Sequence, residues 1–252
     1  MFESIDQPSY IFARNKKPCK NKMVYTIGYW KIRGLRTPIT LVLEYAGIEY
    51  KEEFYEMNKD ADGNWARDDW YKCKAELQKS GKLDFANIPY LFDPEHNLNI
   101  TQMVPIINYL CQKHNVLQPE NLQEKAKADM MMGVIGDFRS GFTQMCYTTG
   151  DVDSYYTSNL VGENGANWMA LFEKYFTKNK YCASTLTYAD FNFWEIMDHH
   201  RIVYGEKLNL AKNYPNVNKF MQMIDDLEAI KNYKASDRWF DHPMNNYVAK
   251  VK

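Results

Sequence analysis

The sequence lacks paired cysteines and long apolar runs. Its five cysteines are scattered and form no CxxC pair, a usage typical of a reducing compartment and not of a disulfide framework or a zinc site. No stretch approaches the roughly 18 apolar residues that a membrane span requires. These absences predict a cytoplasmic protein with no metal centre and no membrane span. The cysteines are Cys19, Cys73, Cys111, Cys146 and Cys182.

The chain also carries little net charge. Its 31 basic and 32 acidic residues give a formal charge of −1, which provides no reason to expect nucleic acid or an acidic membrane as the main partner. Residues 1–22 are polar and contain no apolar core for a signal peptide. We interpret them as an N-terminal extension that docks on the body of the protein or on a larger protein assembly. Aromatic residues make up 15% of the chain, which favours clefts for organic ligands.

Residues 23–114 predict the element order β-α-β-loop-β-β-α. Strands are expected near Tyr25–Ile27, 48–55, 88–92 and 98–100, with a short helix at 69–77 inside a long charged loop. Thr37-Pro38 is typical of a helix start, with the threonine as N-cap and the proline in the first helical position. This order is that of a thioredoxin-like domain, a small mixed sheet with helices on both sides.

After a linker at 115–122 the strand signals stop. Helix-like spacing of apolar residues covers 123–146, 161–176, 188–204 and 215–230. Thr187 and Asp190 precede an apolar run at the spacing of a capping box. The sequence therefore predicts an α/β domain followed by an all-α domain over residues 123–252.

Several stretches carry a resemblance to a known family. They are GYWKIRG, LEYAGIEYKEEFY, LDFANIPYLFD, NITQ, QMCY, LTYADFNFWEIMDHHRI and YPNVNKFMQMIDDLEAIKNY. In their order and spacing they resemble cytosolic glutathione transferases, most closely the mu class, over about nine-tenths of the chain. The resemblance implies a glutathione-binding domain at 23–114, a helical domain that supplies a pocket for electrophiles, and no metal.

Tyr29 matches the tyrosine that donates a hydrogen bond to the sulfur of glutathione in this family. A thiol with a pKa near 8.5 is only about 3% thiolate at pH 7, and the thiolate is the nucleophile. A hydrogen bond to a charged group contributes about 1.5–3 kcal/mol. One hydroxyl, assisted by the dipole of the following helix, would therefore lower the thiol pKa by roughly one to two units.

Other positions match residues that hold the tripeptide, the electrophile or a second subunit. The resemblance assigns the following to glutathione: Trp30, Arg67, Trp70, Lys74, Asn87, Ile88, Pro89, Gln102, Met103 and Asp137. Tyr147 and Arg139 fall in the electrophile pocket. Phe85 matches the aromatic residue that inserts into the partner of a homodimer. Pro89 also invites a cis peptide bond beside the ligand.

The chain departs from the family pattern at three places. Met103 stands where the family has a serine that holds the γ-glutamyl carboxylate, and losing such a bond costs about 1.5–3 kcal/mol. The segment after Lys74 is longer than the pattern, so Lys72 or Lys79 could take its place. Arg139 replaces a histidine near the electrophile, which alters the expected substrate preference.

Two functions remain open at this stage. The first is a dimeric detoxification enzyme that conjugates the glutathione thiolate to small hydrophobic electrophiles. The second is a weakly active or inactive transferase-fold subunit of a larger assembly, docked through residues 1–22. A thiol-disulfide oxidoreductase is disfavoured, because no cysteine lies at Tyr29-Trp30.

Overall fold

A computed structural model describes residues 24–162 and 167–252. The predicted N-terminal extension at 1–22 lies outside these ranges. Within them, no helix is long and apolar enough to cross a membrane.

The first half is built on a mixed sheet of four strands in the order β2-β1-β5-β6. β1 runs parallel to β2, whereas β5 runs antiparallel to both β1 and β6. The thioredoxin-like prediction is confirmed. The elements are β1 (Tyr25–Trp30), α1 (Thr37–Ala46), β2 (Tyr50–Tyr55), β3 (Asn58–Lys59), β4 (Trp65–Ala66), α2 (Asp68–Lys79), β5 (Tyr90–Asp93), β6 (Leu98–Thr101) and α3 (Met103–His114).

Gly28 allows two neighbouring strands to approach in the centre of this sheet. It pairs with Tyr90 of β5, and a Cβ at position 28 would lie 2.0 Å from the Tyr90 ring. Only glycine fits at that distance, because real Cβ atoms do not come so close to another heavy atom. The tyrosine ring therefore lies across the strand that delivers Tyr29.

Two local predictions in this half need correction. Thr37 is not the N-cap of α1, because Arg36 before it is already helical (φ −71°, ψ −46°). The Thr37 hydroxyl instead donates to the carbonyl of Arg33 at 3.3 Å. The loop between β2 and α2 contains a small hairpin, β3–β4, which the charged sequence did not indicate.

The second half is helical, as predicted, but its elements differ in detail. The apolar spacing at 161–176 predicts one helix, whereas the structure has a π-helix at Tyr156–Leu160 and then α6. The spacing at 215–230 corresponds to two helices, α9 and α10. The helices are α4 (Leu122–Tyr147), α5 (Val152–Tyr155), α6 (Trp168–Lys178), α7 (Tyr188–Tyr204), α8 (Leu210–Asn213), α9 (Pro215–Asp225) and α10 (Glu228–Lys234), with a 3₁₀ turn at Gly205–Lys207.

α7 is the central helix of this half and is buried along almost its whole length. Its first turn carries the predicted capping box: Asp190 accepts from the backbone N–H of Thr187 at 2.7 Å. One apolar core joins both halves, with α1 and α3 packed against α7. The groove between the halves is thus held in a fixed shape, which is what a site built from both requires.

Candidate active site

Tyr29 lies at the end of β1, where the strand leaves the sheet. Its side chain is 7% exposed, and its hydroxyl oxygen accepts a hydrogen bond from the backbone N–H of Leu35 at 3.1 Å. Gly34 has φ +40°, and a Cβ there would lie 2.7 Å from the tyrosine oxygen. The turn after β1 therefore wraps closely around the phenol and fixes its direction.

The Tyr29 phenol is a hydrogen-bond donor at neutral pH. Burial raises the pKa of Tyr29 to about 12, although the Leu35 N–H and the Arg139 charge act in the opposite direction. Because its oxygen already accepts from Leu35, its own hydrogen remains available for a ligand. The geometry suits a group that stabilises an anion, and it does not suit a general base.

A cavity of about 600 Å³ opens beside this hydroxyl, between the turn after β1 and helix α4. The size is that of a site for a small organic molecule. Its wall combines an apolar floor with a few polar groups. The lining residues are Tyr29, Ile32, Gly34, Leu35, Gly136, Arg139, Ser140, Thr143, Gln144, Tyr147, His199 and Asn245.

The C-terminal segment forms one wall of this cavity. The backbone N–H of Asn246 donates to the Tyr147 hydroxyl at 2.8 Å, and the N–H of Lys250 donates to the carbonyl of Cys146 at 2.8 Å. The turn after β1 is held as well, since Gly34 N–H donates to the Met244 carbonyl at 3.1 Å. This segment therefore binds both halves of the molecule at the cavity.

Arg139 and His199 place two nitrogen groups in the wall. Burial lowers the pKa of Arg139 and of His199. Arg139 Nη2 donates to the Oδ1 of Asn192 at 2.9 Å. His199 Nε2 lies 2.8 Å from Glu195 Oε1. Arg139 thus brings a positive charge to the cavity beside Tyr29.

A second group of predicted residues surrounds the edge of β5. The Ile88-Pro89 bond is cis, and the Gln102 N–H donates to the Pro89 carbonyl at 3.1 Å. Since Gly28 pairs with Tyr90, the next pair in this antiparallel register would join Tyr29 and Pro89. The cis bond and the start of α3 therefore lie at the same end of the sheet as Tyr29.

Met103 is the first residue of α3 and is 8% exposed, with its side chain in the core. The residue before it, Gln102, is exposed and has φ 77°. No side chain caps this helix. The first-turn amides have no partner within the helix, and they remain available to an anionic group.

The residues predicted to bind the glycine end of glutathione differ in their exposure to solvent. Trp70 is 4% exposed and packs against Tyr55, with 5.1 Å between ring centroids. Lys74 and Trp30 are half-buried, whereas Arg67 and Asn87 are exposed. None of these residues lines the cavity beside Tyr29. Burial raises the pKa of Tyr147, which does line it, and the nearby charge of Arg67 acts in the opposite direction, so the two predicted subsites approach each other at Tyr147.

Two predicted contact residues lie on the surface. Phe85 is 85% exposed, a large value for an aromatic ring, and Asp137 on α4 is also exposed. The prediction that they meet a second subunit requires such exposure.

Of the twelve lining residues, the sequence indicated Tyr29, Arg139 and Tyr147, and the nine that it did not indicate include Ile32, His199 and Asn245. Ile32 is 4% exposed in an irregular turn, and Asn245 lies in a segment without periodicity. His199 and its neighbour His200 gave a usable signal, because two adjacent histidines in an apolar helix are unusual.

Asp93, Glu95 and His96 are the group of described residues whose atoms lie close enough to share a metal ion. The ammonium of Lys113 already contacts both carboxylates, at 2.7 Å from Asp93 and 2.8 Å from Glu95. A lysine in that position competes with a cation. The group is therefore satisfied as an ion-pair cluster.

Two family models match the chain. "Glutathione S-transferase, N-terminal domain" matches residues 25–112, and "Glutathione S-transferase, C-terminal domain" matches residues 136–237. Together they cover most of the chain and both halves of the fold.

Curated relatives are similar over nearly the whole chain. Glutathione S-transferase Mu 3 of Macaca fuscata fuscata is 33% identical over 235 residues, which are 92% of this chain and 96% of that protein. Glutathione S-transferase Mu 5 of Mus musculus is 33% identical over 226 residues, 89% and 94% of the two chains. The class-mu 26 kDa isozyme 51 of Fasciola hepatica is 32% identical over 228 residues, 88% and 94%.

Solved structures agree with the fold. The pi-class glutathione S-transferase of Onchocerca volvulus superimposes with a TM-score of 0.71 at 26% identity, covering 90% of this chain and 100% of that one. The glutathione S-transferase Blo t 8 gives a TM-score of 0.73 at 24% identity, covering 90% and 99%; at that identity it supports the fold alone.

The chain therefore belongs to the glutathione S-transferase family. Within that family, these curated relatives are of the mu class. The prediction of a mu-like glutathione transferase with a thioredoxin-like domain and a helical domain is confirmed.

Proposed function

We propose that this protein conjugates the thiolate of glutathione to small electrophiles, with Tyr29 as the residue that stabilises the sulfur anion. The observation that carries this assignment is the state of the phenol. It is protonated, its oxygen accepts from the Leu35 N–H at 3.1 Å, and it lies in the wall of a cavity of about 600 Å³. A fixed donor in a water-poor site stabilises an anion more than water does.

In this proposal glutathione lies along the edge formed by the cis bond before Pro89 and the start of α3. Its cysteinyl unit would pair with the backbone at Ile88-Pro89, and its γ-glutamyl carboxylate would meet Gln102 and the amide of Met103. Trp30, Arg67, Trp70, Lys74 and Asn87 would surround the glycine end, as the resemblance implies. The family membership and the open first turn of α3 support this placement.

The reaction needs little beyond this placement. The bound thiolate attacks the electrophilic carbon, a carbon–sulfur bond forms, and the leaving group departs with its electron pair. The cavity beside Tyr29 would hold the electrophile against Tyr147 and the aliphatic wall of Ile32 and Leu35. The co-substrate supplies the nucleophile, so the chain itself contributes position and electrostatics.

Replacing Tyr29 with phenylalanine tests the role of the hydroxyl. Loss of a hydrogen bond to a charged group costs about 1.5–3 kcal/mol, so kcat/KM for a chromogenic aryl halide should fall roughly tenfold to a hundredfold. The pKa of enzyme-bound glutathione, read from thiolate ultraviolet absorbance, should rise by about one to two units.

Tyr25→Phe is a matched control, because Tyr25 lies on the same strand and its hydroxyl contacts His114 at 2.8 Å, outside the cavity. It should leave both values unchanged. A fall of less than twofold in Tyr29→Phe, with an unchanged thiol pKa, would show that the phenol does not act on sulfur.

We further propose a homodimer in which the exposed Phe85 ring inserts into the partner and Asp137 reaches across to its glutathione. Family relatives and the exposure of both residues support this arrangement. A cytoplasmic location stays a prediction. The role of residues 1–22 in a larger assembly also stays one, because those residues lie outside the described ranges.

A further inference from the structure

Arg139 is a half-buried cation with unused donors. It lines the cavity beside Tyr29, and its Nη2 donates to the backbone oxygen and the Oδ1 of Asn192, at 3.3 and 2.9 Å. Its Nε is shielded from solvent and has no hydrogen-bond partner among the described residues. Within the same ranges no acceptor is bonded to Nη1, so the guanidinium contacts only a neutral residue.

The nearby carboxylates are occupied by other groups. Glu195 receives Arg33 Nη2 at 2.6 Å and lies 2.8 Å from His199 Nε2. Asp198 receives Arg33 at 2.8 Å and Arg201 at 2.6 Å. Over residues 24–162 and 167–252, no ion pair joins Arg139 to an acid.

The other titratable groups of the cavity do not compensate this charge. Burial raises the pKa of Tyr29 to about 12 and also raises that of Tyr147, so both phenols are neutral. Burial lowers the pKa of His199, which favours its neutral form. Gln144 and Asn245 complete the polar wall without charge. Among the described lining residues Arg139 is therefore the charged group, and Glu195 offsets its charge from a distance without forming an ion pair with it.

Holding a half-buried charge partly away from water without a paired acid is costly. A ligand carboxylate offsets this cost, because it brings a negative charge and oxygen acceptors to the guanidinium. A neutral apolar electrophile does not. The cavity thus distinguishes ligands by charge as well as by size.

We propose that this transferase selects electrophiles that carry a carboxylate, with Arg139 as the residue that binds it. The inference rests on the proposed conjugation function and names its substrate class. For an aryl chloride, the thiolate sulfur bonds to the ring carbon and chloride leaves with the C–Cl electron pair. The carboxylate elsewhere on the ring is unchanged and serves to hold the substrate.

A matched pair of substrates tests the proposal. 4-Chloro-3-nitrobenzoate and its primary amide share the reacting carbon and nearly the same shape, and they differ in charge. The wild-type protein should prefer the benzoate in kcat/KM. Arg139→Gln should lower kcat/KM for the benzoate roughly tenfold to a hundredfold and that for the amide by less than about twofold. Arg139→Lys should restore part of the preference, because it keeps the charge.

Two outcomes overturn the proposal. If Arg139→Gln lowers both substrates equally and raises the pKa of bound glutathione, the arginine acts on the thiolate. If the ratio of the two substrates does not change, the charge plays no part in selection. Lys231→Gln removes an exposed positive charge far from the lining residues, and it controls for the net charge of the protein.

A binding measurement separates this proposal from the conjugation function. The inert compound 4-methyl-3-nitrobenzoate and its amide are titrated into the full chain, with intrinsic tryptophan fluorescence as the readout. Tighter binding of the benzoate that disappears in Arg139→Gln supports the proposal even if neither chloride is conjugated. Equal binding of the two compounds overturns it, whether or not conjugation occurs.

Discussion

Arg33 and Arg139 are two arginines at the junction of the two halves, and their surroundings differ. Arg33 follows β1 and is 0% exposed. It contacts Glu195 at 2.6 Å and Asp198 at 2.8 Å, both on α7, and its guanidinium lies 4.7 Å from the centre of the Trp239 ring. Arg139 contacts the neutral amide of Asn192 and faces the cavity.

The difference distinguishes an arginine whose charge is neutralised by acids of the fold from an arginine whose charge faces the cavity. Glu195 and Asp198 neutralise Arg33 and fix α7 against the turn that positions Tyr29. Burial by itself would raise the pKa of the Glu195 carboxyl, but Arg33 and His199 hold it well below its usual range. Arg139 has no such partner within the described part of the chain, so its charge remains for a ligand. Burial and contacts both distinguish the two: Arg33 is fully buried between acids, and Arg139 is half-buried beside a neutral amide.

Removal of Arg33 should have the largest effect. Arg33→Met leaves the Glu195 carboxylate buried without its arginine and removes one of the two arginines that bind Asp198, which costs about 3–5 kcal/mol in unfolding free energy. Urea denaturation measured at neutral pH gives this value directly. Arg201→Met is the matched control, because Arg201 binds Asp198 and Asp225 with its side chain 38% exposed; it should cost about 1 kcal/mol or less. Equal losses for the two variants would contradict the distinction.

The pH dependence of stability tests whether burial keeps the His200 imidazole neutral in the folded protein. Burial lowers the pKa of His200 to about 3, and the charge of Arg139 acts in the same direction. The unfolded value is about 6.5, so the folded state favours neutral imidazole. As far as this group is concerned, the unfolding free energy has its full value above about pH 6.5. It falls as the pH is lowered towards 3, by up to about 1.4 kcal/mol per pH unit, because the unfolded chain takes up the proton first.

Urea titrations at a series of pH values measure that slope. His200→Leu should flatten it below pH 6.5, whereas His242→Gln, which changes an exposed histidine, should leave it unchanged. If the slope of His200→Leu equals that of the wild-type protein, His200 is not the group that titrates.

The smallest effect is expected at Arg139. Arg139→Met removes a half-buried charge that forms no ion pair within the described ranges and also deprives Asn192 of one donor, so the two changes oppose each other. The unfolding free energy should change by less than about 1 kcal/mol in either direction. A loss of more than about 3 kcal/mol would mean that Arg139 has a structural partner like that of Arg33.

Local and periodic signals were sufficient to predict most of the fold. The alternation at Tyr25–Ile27, the apolar spacing of α7 and the Thr187–Asp190 capping box all indicated the elements that the structure contains. Each depends on residues a few positions apart. The position of Tyr29 at a strand end followed from the same reasoning.

Long-range contacts explain what the sequence did not indicate. Thr37 is inside the first turn of α1 because Arg36 is drawn into helical geometry while its guanidinium binds Glu52, Tyr233 and the Arg238 carbonyl. Asn245 lies in a segment without periodicity, held by bonds to residues about a hundred or more positions away. Such contacts leave no pattern in a single sequence.

The attachment of residues 243–251 to both halves has a consequence for how the protein is made. Synthesis on the ribosome proceeds from the N-terminus, and domains generally fold as units in that order. Tyr29, Arg139 and Tyr147 have all emerged before Asn245, Asn246 and Lys250 are added. The cavity is therefore completed by residues that are translated after both halves of the fold, and a nascent chain that already has its sheet and α4 still lacks this part of the site.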